Sequence, residues 1–377
     1  MARWRIDLRD RDELHLALGL TLPLVAGLAL FGWRVVGVYA LIAVGALVGR
    51  FLLGRMSTWT ATPRRVSMLA QSGVVALFCP ATLFDVDQTA FQPHARWPLL
   101  IAAGLLLASF DWASRWFGRR CWHAAAVVAA LLTLGLPWLT QTDRVLRPRA
   151  IFAGDVYDER VADRPAGTAE PWMELAGPAT EKVLITPPAA PRLQAFLHTR
   201  TNSGDGTRDG RPSPTVARLL SDDLPPLEDL VVGGHPSAVG RGSLIALLVG
   251  GLLLVYRGLT PLRVPVLALL AAYVTIAVLP MPTGAGGGRR WLIANDPRVG
   301  WAAGLTLVHY LLAASAVPAV ATFLLPQPTV RPHRFAGLFA VVFGVLAGVA
   351  TVFLHVAGGA LAALLVVRMI WPRRIGR

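Results

Sequence analysis

Apolar residues run almost without interruption through two blocks, 14–140 and 243–371, and a polar, proline-rich stretch, 141–240, separates them. A helix crossing a hydrocarbon layer of about 30 Å needs roughly 20 apolar residues. Ten segments approach that length: 14–31, 35–53, 66–84, 98–116 and 121–139 in the first block, and 242–256, 264–279, 301–325, 335–355 and 356–371 in the second. Several are short or broken by Gly and Pro. Unpaired backbone groups cannot face lipid, so these breaks are expected to lie among neighbouring helices or to line a polar cavity. The pattern predicts an all-α polytopic membrane protein with membrane halves 1–140 and 241–377. Between them, 141–240 is expected to form a domain of irregular structure outside the bilayer.

Charge orients this arrangement. The chain holds 36 basic and 22 acidic residues, but the arginines are scattered at segment ends rather than clustered with aromatics, which argues against a nucleic-acid partner. Arginines fill the two tails and every second loop, from Arg3, Arg5, Arg9 and Arg11 to Arg373, Arg374 and Arg377. The positive-inside rule then places both termini in the cytoplasm and 141–240 outside. Arg34, Arg289, Arg290 and Arg298 break the rule. The outer stretch carries 14 of the acidic and 11 of the basic residues, as an outer domain on a basic inner rim should. Lys182 is the sole lysine, a bias typical of GC-rich bacterial genomes, so the expected location is a bacterial plasma (inner) membrane.

Trp33, Trp59, Trp97, Trp116, Trp138, Trp301 and Trp371 sit near segment ends, where an amphipathic ring suits the interface. Asp7, Asp10, Asp12 and Glu13 ahead of the first apolar run do not resemble a cleaved signal peptide, so segment one is read as an anchor. Cys79 and Cys121 lack metal-ligand spacing, and no iron–sulfur or zinc site is expected.

The stretch from Val25 to Arg34 (Val-Ala-Gly-Leu-Ala-Leu-Phe-Gly-Trp-Arg) echoes Val249 to Arg257 (Val-Gly-Gly-Leu-Leu-Leu-Val-Tyr-Arg), in the first segment of each half. Five segments per half, an odd number, make the second half enter from the opposite side, the inverted-repeat layout of many transporters. Leu/Gly-rich helices also resemble one another through composition alone.

Read in order, several motifs resemble the RnfD/NqrB family, membrane components of the Rnf electron-transport complex and of the sodium-pumping NADH:quinone oxidoreductase. They are Phe31-Gly-Trp33, Ala76-Leu-Phe-Cys-Pro-Ala-Thr-Leu83, the run Gly240-Arg-Gly-Ser-Leu-Ile-Ala-Leu-Leu-Val-Gly-Gly-Leu-Leu-Leu-Val-Tyr-Arg257 with Arg263-Val-Pro265 after it, and Asp296-Pro297. The resemblance implies an FMN joined by a phosphoester to a hydroxyl residue in the outer loop before segment six. The corresponding stretch is Gly210-Arg-Pro-Ser-Pro-Thr-Val-Ala-Arg-Leu-Leu220, which makes Ser213 the attachment candidate, with Thr215 two residues on. Ser203-Gly-Asp-Gly-Thr207 offers a looser match at Thr207. A Ser/Thr/Gly-rich loop is also what a plain linker looks like.

Other positions depart from the family. Its Asn-x-Phe-Asn-Pro-Ala before segment five, associated with a membrane-embedded flavin, stands here as Arg120-Cys-Trp-His-Ala124, which argues against a second flavin such as riboflavin. Its Thr-Asp-Pro after segment eight stands as Pro326-Gln-Pro328, and its Gly-Glu-Thr-Ser before segment six as Gly240-Arg-Gly-Ser243. These exchanges remove hydrogen-bonding groups that an isoalloxazine or a passing cation would use.

Ionisable residues inside apolar segments are functional candidates by default. Asp111 has Arg115 four residues on, the spacing of a helix-face ion pair. His123 opens segment five at headgroup depth. His309, between Val308 and Tyr310, is nearest mid-span, where a hydrogen-bonded packing role competes with a functional one. Ser315 and Pro318 in segment eight would free a carbonyl or simply kink the helix. The run Gly284-Ala-Gly-Gly-Gly288 before Arg289 and Arg290 reads as a plain loop sooner than a phosphate cradle.

The resemblance implies a membrane subunit of a flavin-dependent electron-transport complex coupled to transmembrane ion movement, a part of a translocase rather than a stand-alone enzyme. Its partners would be other membrane subunits and an extracytoplasmic FMN-binding protein. A flavin-free transporter or channel, or a scaffold subunit, is the alternative on the same fold.

Overall fold

The computed structural model describes residues 8–56, 65–80, 83, 97–116, 123–135, 189–198, 216, 219–220, 224–233, 237–282, 289–295, 299–327 and 335–370. In the first half these form α1 (Leu8–Phe31), α2 (Arg34–Met56), α3 (Arg65–Ala76), α4 (Trp97–Trp116) and α5 (Ala124–Ala130), which runs on into a π-helical turn at Leu131–Gly135. The polar stretch contributes α6 (Ala189–His198) and α7 (Leu227–Val232). The second half holds α8 (Leu244–Tyr256), α9 (Arg263–Val278), α10 (Trp301–Ala314), α11 (Val317–Leu324), α12 (Ala336–Phe353) and α13 (Gly359–Ile370). A two-residue hairpin, β1 (Met281–Pro282) against β2 (Arg289–Arg290), lies between α9 and α10.

Each expected segment falls on a helix, with α10 and α11 sharing one. Among the described residues four helices, α1, α2, α4 and α12, are long and apolar enough to cross a membrane, and a fifth span results if α10 and α11, bent by 54°, count as one. The remaining apolar helices are shorter. Segment three stops being helical at Ala76 because Cys79 precedes Pro80, and a residue before proline is steered out of the helical region. The released backbone pairs with the approach to α8: Val239 N–H donates to the Cys79 carbonyl at 2.8 Å and Gly240 N–H to Leu77 at 3.4 Å. Segment ten likewise starts late, at Gly359.

The helices pack in the manner of lipid-embedded ones. On α9, Val264, Ala268, Ala272 and Ile276 are buried, while the preceding Leu262 and α9's Val266, Leu270, Val274 and Val278 form an exposed aliphatic stripe at every fourth position. Small residues face the protein because close backbone approach, rather than water exclusion, drives helix association in lipid. Gly104 of α4 lies so near the Ile42 carbonyl of α2 that a methyl group would strike it, and Gly344 of α12 stands in the same relation to the Ala268 carbonyl of α9.

Within the polar stretch, expected to be irregular, the described residues include the helices α6 and α7. Ala189, Leu193, Phe196 and Leu197, spaced i, i+4, i+7, i+8, are buried on one face of α6. They share a core cluster with Leu307, Val308 and Leu311 of α10 and with Val352 and Val356 around the end of α12. The helix forms because that apolar stripe has somewhere to go.

Candidate functional site

In the second half the helical backbone is interrupted at two places that meet, one within segment eight and one at the join of segments nine and ten. In the first, α10 ends at Ala314, whose carbonyl would normally accept from the N–H four residues on. That residue is Pro318, which has none. Ser315 makes the turn, its hydroxyl donating to the Leu312 carbonyl at 2.7 Å and accepting from Val317 N–H at 3.2 Å. The chain then resumes as α11 with a π-helical turn at Val320–Leu324, where Thr322 donates to the Pro318 carbonyl at 2.7 Å.

The second break lies between α12 and α13. Leu354 and His355 N–H groups both donate to the Ala350 carbonyl at 2.9 Å, closing α12, and α13 opens with Gly359 N–H on the His355 carbonyl at 2.7 Å and Leu361 N–H on Gly358 at 3.0 Å. This register leaves the Ala357 carbonyl outside the helical ladder. Gly358 is close-packed against α5's π-helical turn, where an added methyl would lie 2.6 Å from the Leu134 side chain.

Arg241 joins the two breaks. It sits just ahead of Ser243, which caps α8 by accepting from Ala246 N–H at 3.2 Å. Its Nη2 donates to the Ala314 carbonyl at 2.7 Å and its Nη1 to the Ala357 carbonyl at 3.1 Å. Nε makes no hydrogen bond among the described residues. Burial lowers the guanidinium pKa to about 10, so it stays cationic at neutral pH.

From the polar stretch, α6 packs against the second break. The Gln194 amide of α6 donates to the Leu354 carbonyl at 3.3 Å and accepts from Val356 N–H at 2.6 Å, replacing helical hydrogen bonds that the break has lost. His355, past the end of the α12 span, accepts from Gly358 N–H through Nδ1 at 3.0 Å. Burial, then the charge of Arg241, then His198 push its pKa down. Arg289 donates to the Leu197 carbonyl at 2.7 Å, near the end of α6, and lies 5.3 Å over the Phe353 ring. Tyr310 of α10 donates to the Pro225 carbonyl at 2.6 Å. These contacts give Arg289, an exception to the charge pattern, a packing role.

Of the residues singled out from sequence, Ser315 and Pro318 form the first break, and the carbonyl they free is the one Arg241 takes. Ser213, Thr215 and Thr207 lie outside the described residues, as do Gly284 to Gly288. His309 is on an exposed face of α10, where Nδ1 donates to the Leu305 carbonyl at 2.8 Å and Tyr273 hydroxyl meets Nε2 at 3.4 Å. Asp111 is half-buried on α4, and its backbone carbonyl accepts from Ser114 at 2.8 Å; the Arg115 side chain is not among the described ones. His123 is the residue before α5, with extended backbone; its carbonyl accepts from Val127 N–H at 3.0 Å and its side chain does not cap the helix. Among the described residues no group of three or more His, Cys, Asp or Glu could hold a metal ion.

Arg241 escaped sequence reasoning although both halves of the signal were present: a proline that deprives Ala314 of its donor, and an arginine opening an apolar segment. Seventy-odd residues separate them, and only the fold pairs them.

Residues 167–372 match the family model described as NQR2, RnfD, RnfE. The matched region contains Arg241, both breaks, α6 to α13 and the stretch that holds Thr207, Ser213 and Thr215. No curated protein is similar enough to this chain to count as a match.

Proposed function

This chain belongs to the NQR2, RnfD, RnfE family and is a multi-pass membrane subunit of the Rnf/Nqr type; from that premise we propose that it handles electrons through a covalently bound FMN on the outer face, coupled to ion movement. The observation that carries this reading is the family match across 167–372, which takes in the hydroxyl-bearing stretch before α8. Ser213 is the proposed attachment residue, with Thr215 and Thr207 as the other candidates. The chain works as one part of a relay, beside other membrane subunits and an extracytoplasmic FMN-binding protein.

The same reading puts ten spans in two inverted five-helix halves, both termini in the cytoplasm of a bacterium, and 141–240 outside. The parallel closure of α2 on α4 and α9 on α12 through glycine against a backbone carbonyl supports it.

The test is in-gel flavin fluorescence of the denatured protein after co-expression with a flavin transferase, with Ser213→Ala, Thr215→Ala and Thr207→Ala alongside. Fluorescence lost in one variant names the attachment residue. Its absence from the wild-type chain rejects covalent flavin and leaves the flavin-free transporter, channel or scaffold reading. That second reading draws on the arginine of Gly240-Arg-Gly-Ser243, which stands where the family has Glu.

A further inference from the structure

We infer that the two breaks in the second half form an oxygen-lined site for a monovalent cation, and that the guanidinium of Arg241 is its resident occupant, holding the site closed to free ions. This goes beyond the flavin reading and does not depend on it.

The ligand oxygens exist for reasons written in the backbone. Pro318 has no N–H for the Ala314 carbonyl, and the register of α13 leaves the Ala357 carbonyl without a helical donor. Ala314 lies at the interruption of segment eight and Ala357 at the join of segments nine and ten, and both point at one place, since a single guanidinium reaches them at 2.7 and 3.1 Å. Carbonyls released by broken helices, with the negative end of a helix dipole behind them, are the groups with which membrane proteins hold small cations. Here α10 supplies such an end at Ala314.

The occupant carries more than a clamp requires. Two neutral N–H donors would satisfy two carbonyls, whereas a buried full charge is costly unless its surroundings are electronegative. Among the described residues Arg241 makes its hydrogen bonds to these two backbone carbonyls alone, with no carboxylate among its partners. His355, whose imidazolium form the charge of Arg241 disfavours, adds no compensation. Among the described residues the negative potential available to the guanidinium is that of the carbonyl site itself, and the same potential would hold a sodium or potassium ion in its place. The tether gives the occupant an effective concentration that a free ion cannot match.

The experiment follows the unfolding midpoint of the purified full-length protein in detergent as sodium, potassium or guanidinium replaces choline at constant ionic strength. The wild type should show no response that distinguishes these ions. Arg241→Ala should be destabilised in choline and regain stability in a saturable way with sodium or potassium; well above the dissociation constant, linkage makes the gain several degrees. Arg241→Lys, which keeps a tethered cation, should behave as the wild type. Recovery of Arg241→Ala by guanidinium but not by sodium or potassium would show a shape-specific hydrogen-bond clamp and overturn the inference. A variant that folds in none of the ions, or is unaffected by all of them, overturns it too. None of these readings involves flavin, so they stand apart from the fluorescence test.

Discussion

Ala314 and Pro318 stand four residues apart on what would be one helix, and the carbonyl of the first, denied an N–H by the second, is taken by Arg241 at 2.7 Å. The proline and the arginine are therefore energetically coupled. In Pro318→Ala the new N–H competes for that carbonyl, and the 54° bend between α10 and α11 should diminish. Removing Arg241 leaves buried carbonyls unpaired, at about 1–3 kcal/mol for each group. With alanine at 318 one of them has another donor, so Arg241→Ala should cost less in the Pro318→Ala background. A double-mutant cycle by thermal or denaturant unfolding in detergent should give a coupling of about 0.5–3 kcal/mol. Strict additivity would mean that the proline and the arginine act independently.

Gln194 substitutes for a helical hydrogen-bond pair at the other break, serving the Leu354 carbonyl and the Val356 N–H with one amide. Gln194→Leu preserves bulk and the helical propensity of α6 but abandons both groups. The expected loss is about 1–3 kcal/mol for each group left without a partner. Hydrogen exchange should show it locally, as faster exchange in α6 and in residues 354–358 with α2 and α4 unchanged. Uniform protection across the variant would show that water replaces the amide at no cost.

The helices were legible because lipid-facing residues must be apolar whatever else they do, and Leu262, Val266, Leu270, Val274 and Val278 announce α9 without help from the rest of the fold. The resemblance drawn from Gly240 to Arg257 was legible for a related reason: a capped helix start and a Gly-Gly pair are local requirements. The ends of segments three and ten were less legible. Cys79-Pro80 and Gly358-Gly359 signal a break, but where the helix yields depends on what the released backbone pairs with, Val239 and Gly240 in one case and His355 and Gly358 in the other. The candidate site was the hardest to read. Its charge comes from Arg241, its oxygens from Ala314 and Ala357, and its cover from Gln194, four positions on four elements that no window along the chain can join. His309 attracted attention as a lone ionisable group in an apolar run, yet its ring is satisfied by Leu305 and Tyr273 on an exposed face.

Glycine at the helix crossings gives a prediction for the fold as a whole. At Gly104 and at Gly344 a side chain would run into the backbone of the facing helix, and the carbonyls of Ile42 and Ala268 cannot move aside as a side-chain tip would. Gly104→Leu and Gly344→Leu should each cost at least about 1–3 kcal/mol through forced helix separation, and lower the yield of monodisperse protein. Gly54→Leu on α2 is the control, because nothing lies within 4 Å of a Cβ placed there. Size-exclusion profiles of the three variants in detergent separate a packing effect from a general intolerance of leucine; equal profiles would refute the close crossing.

His355 makes the second break sensitive to acid. Its pKa lies below the ordinary 6.5 because burial, Arg241 and His198 all disfavour the imidazolium. Its neutral Nδ1 accepts from Gly358 N–H, a bond that protonation at that nitrogen would abolish. The unfolded chain takes up the proton near 6.5 while the folded chain still resists it, so the unfolded state binds more protons in the window from 6.5 down to the folded value. The contribution of this group to stability is therefore complete above 6.5 and declines as the pH falls through that window. Unfolding midpoints measured across the range should be level on the alkaline side and drop on the acid side. His355→Asn keeps an acceptor for Gly358 N–H but cannot titrate, so the difference between wild type and variant isolates this histidine from the others in the chain. Two parallel curves would mean that His355 accepts its proton at no cost, and that the charge of Arg241 is not felt across the break.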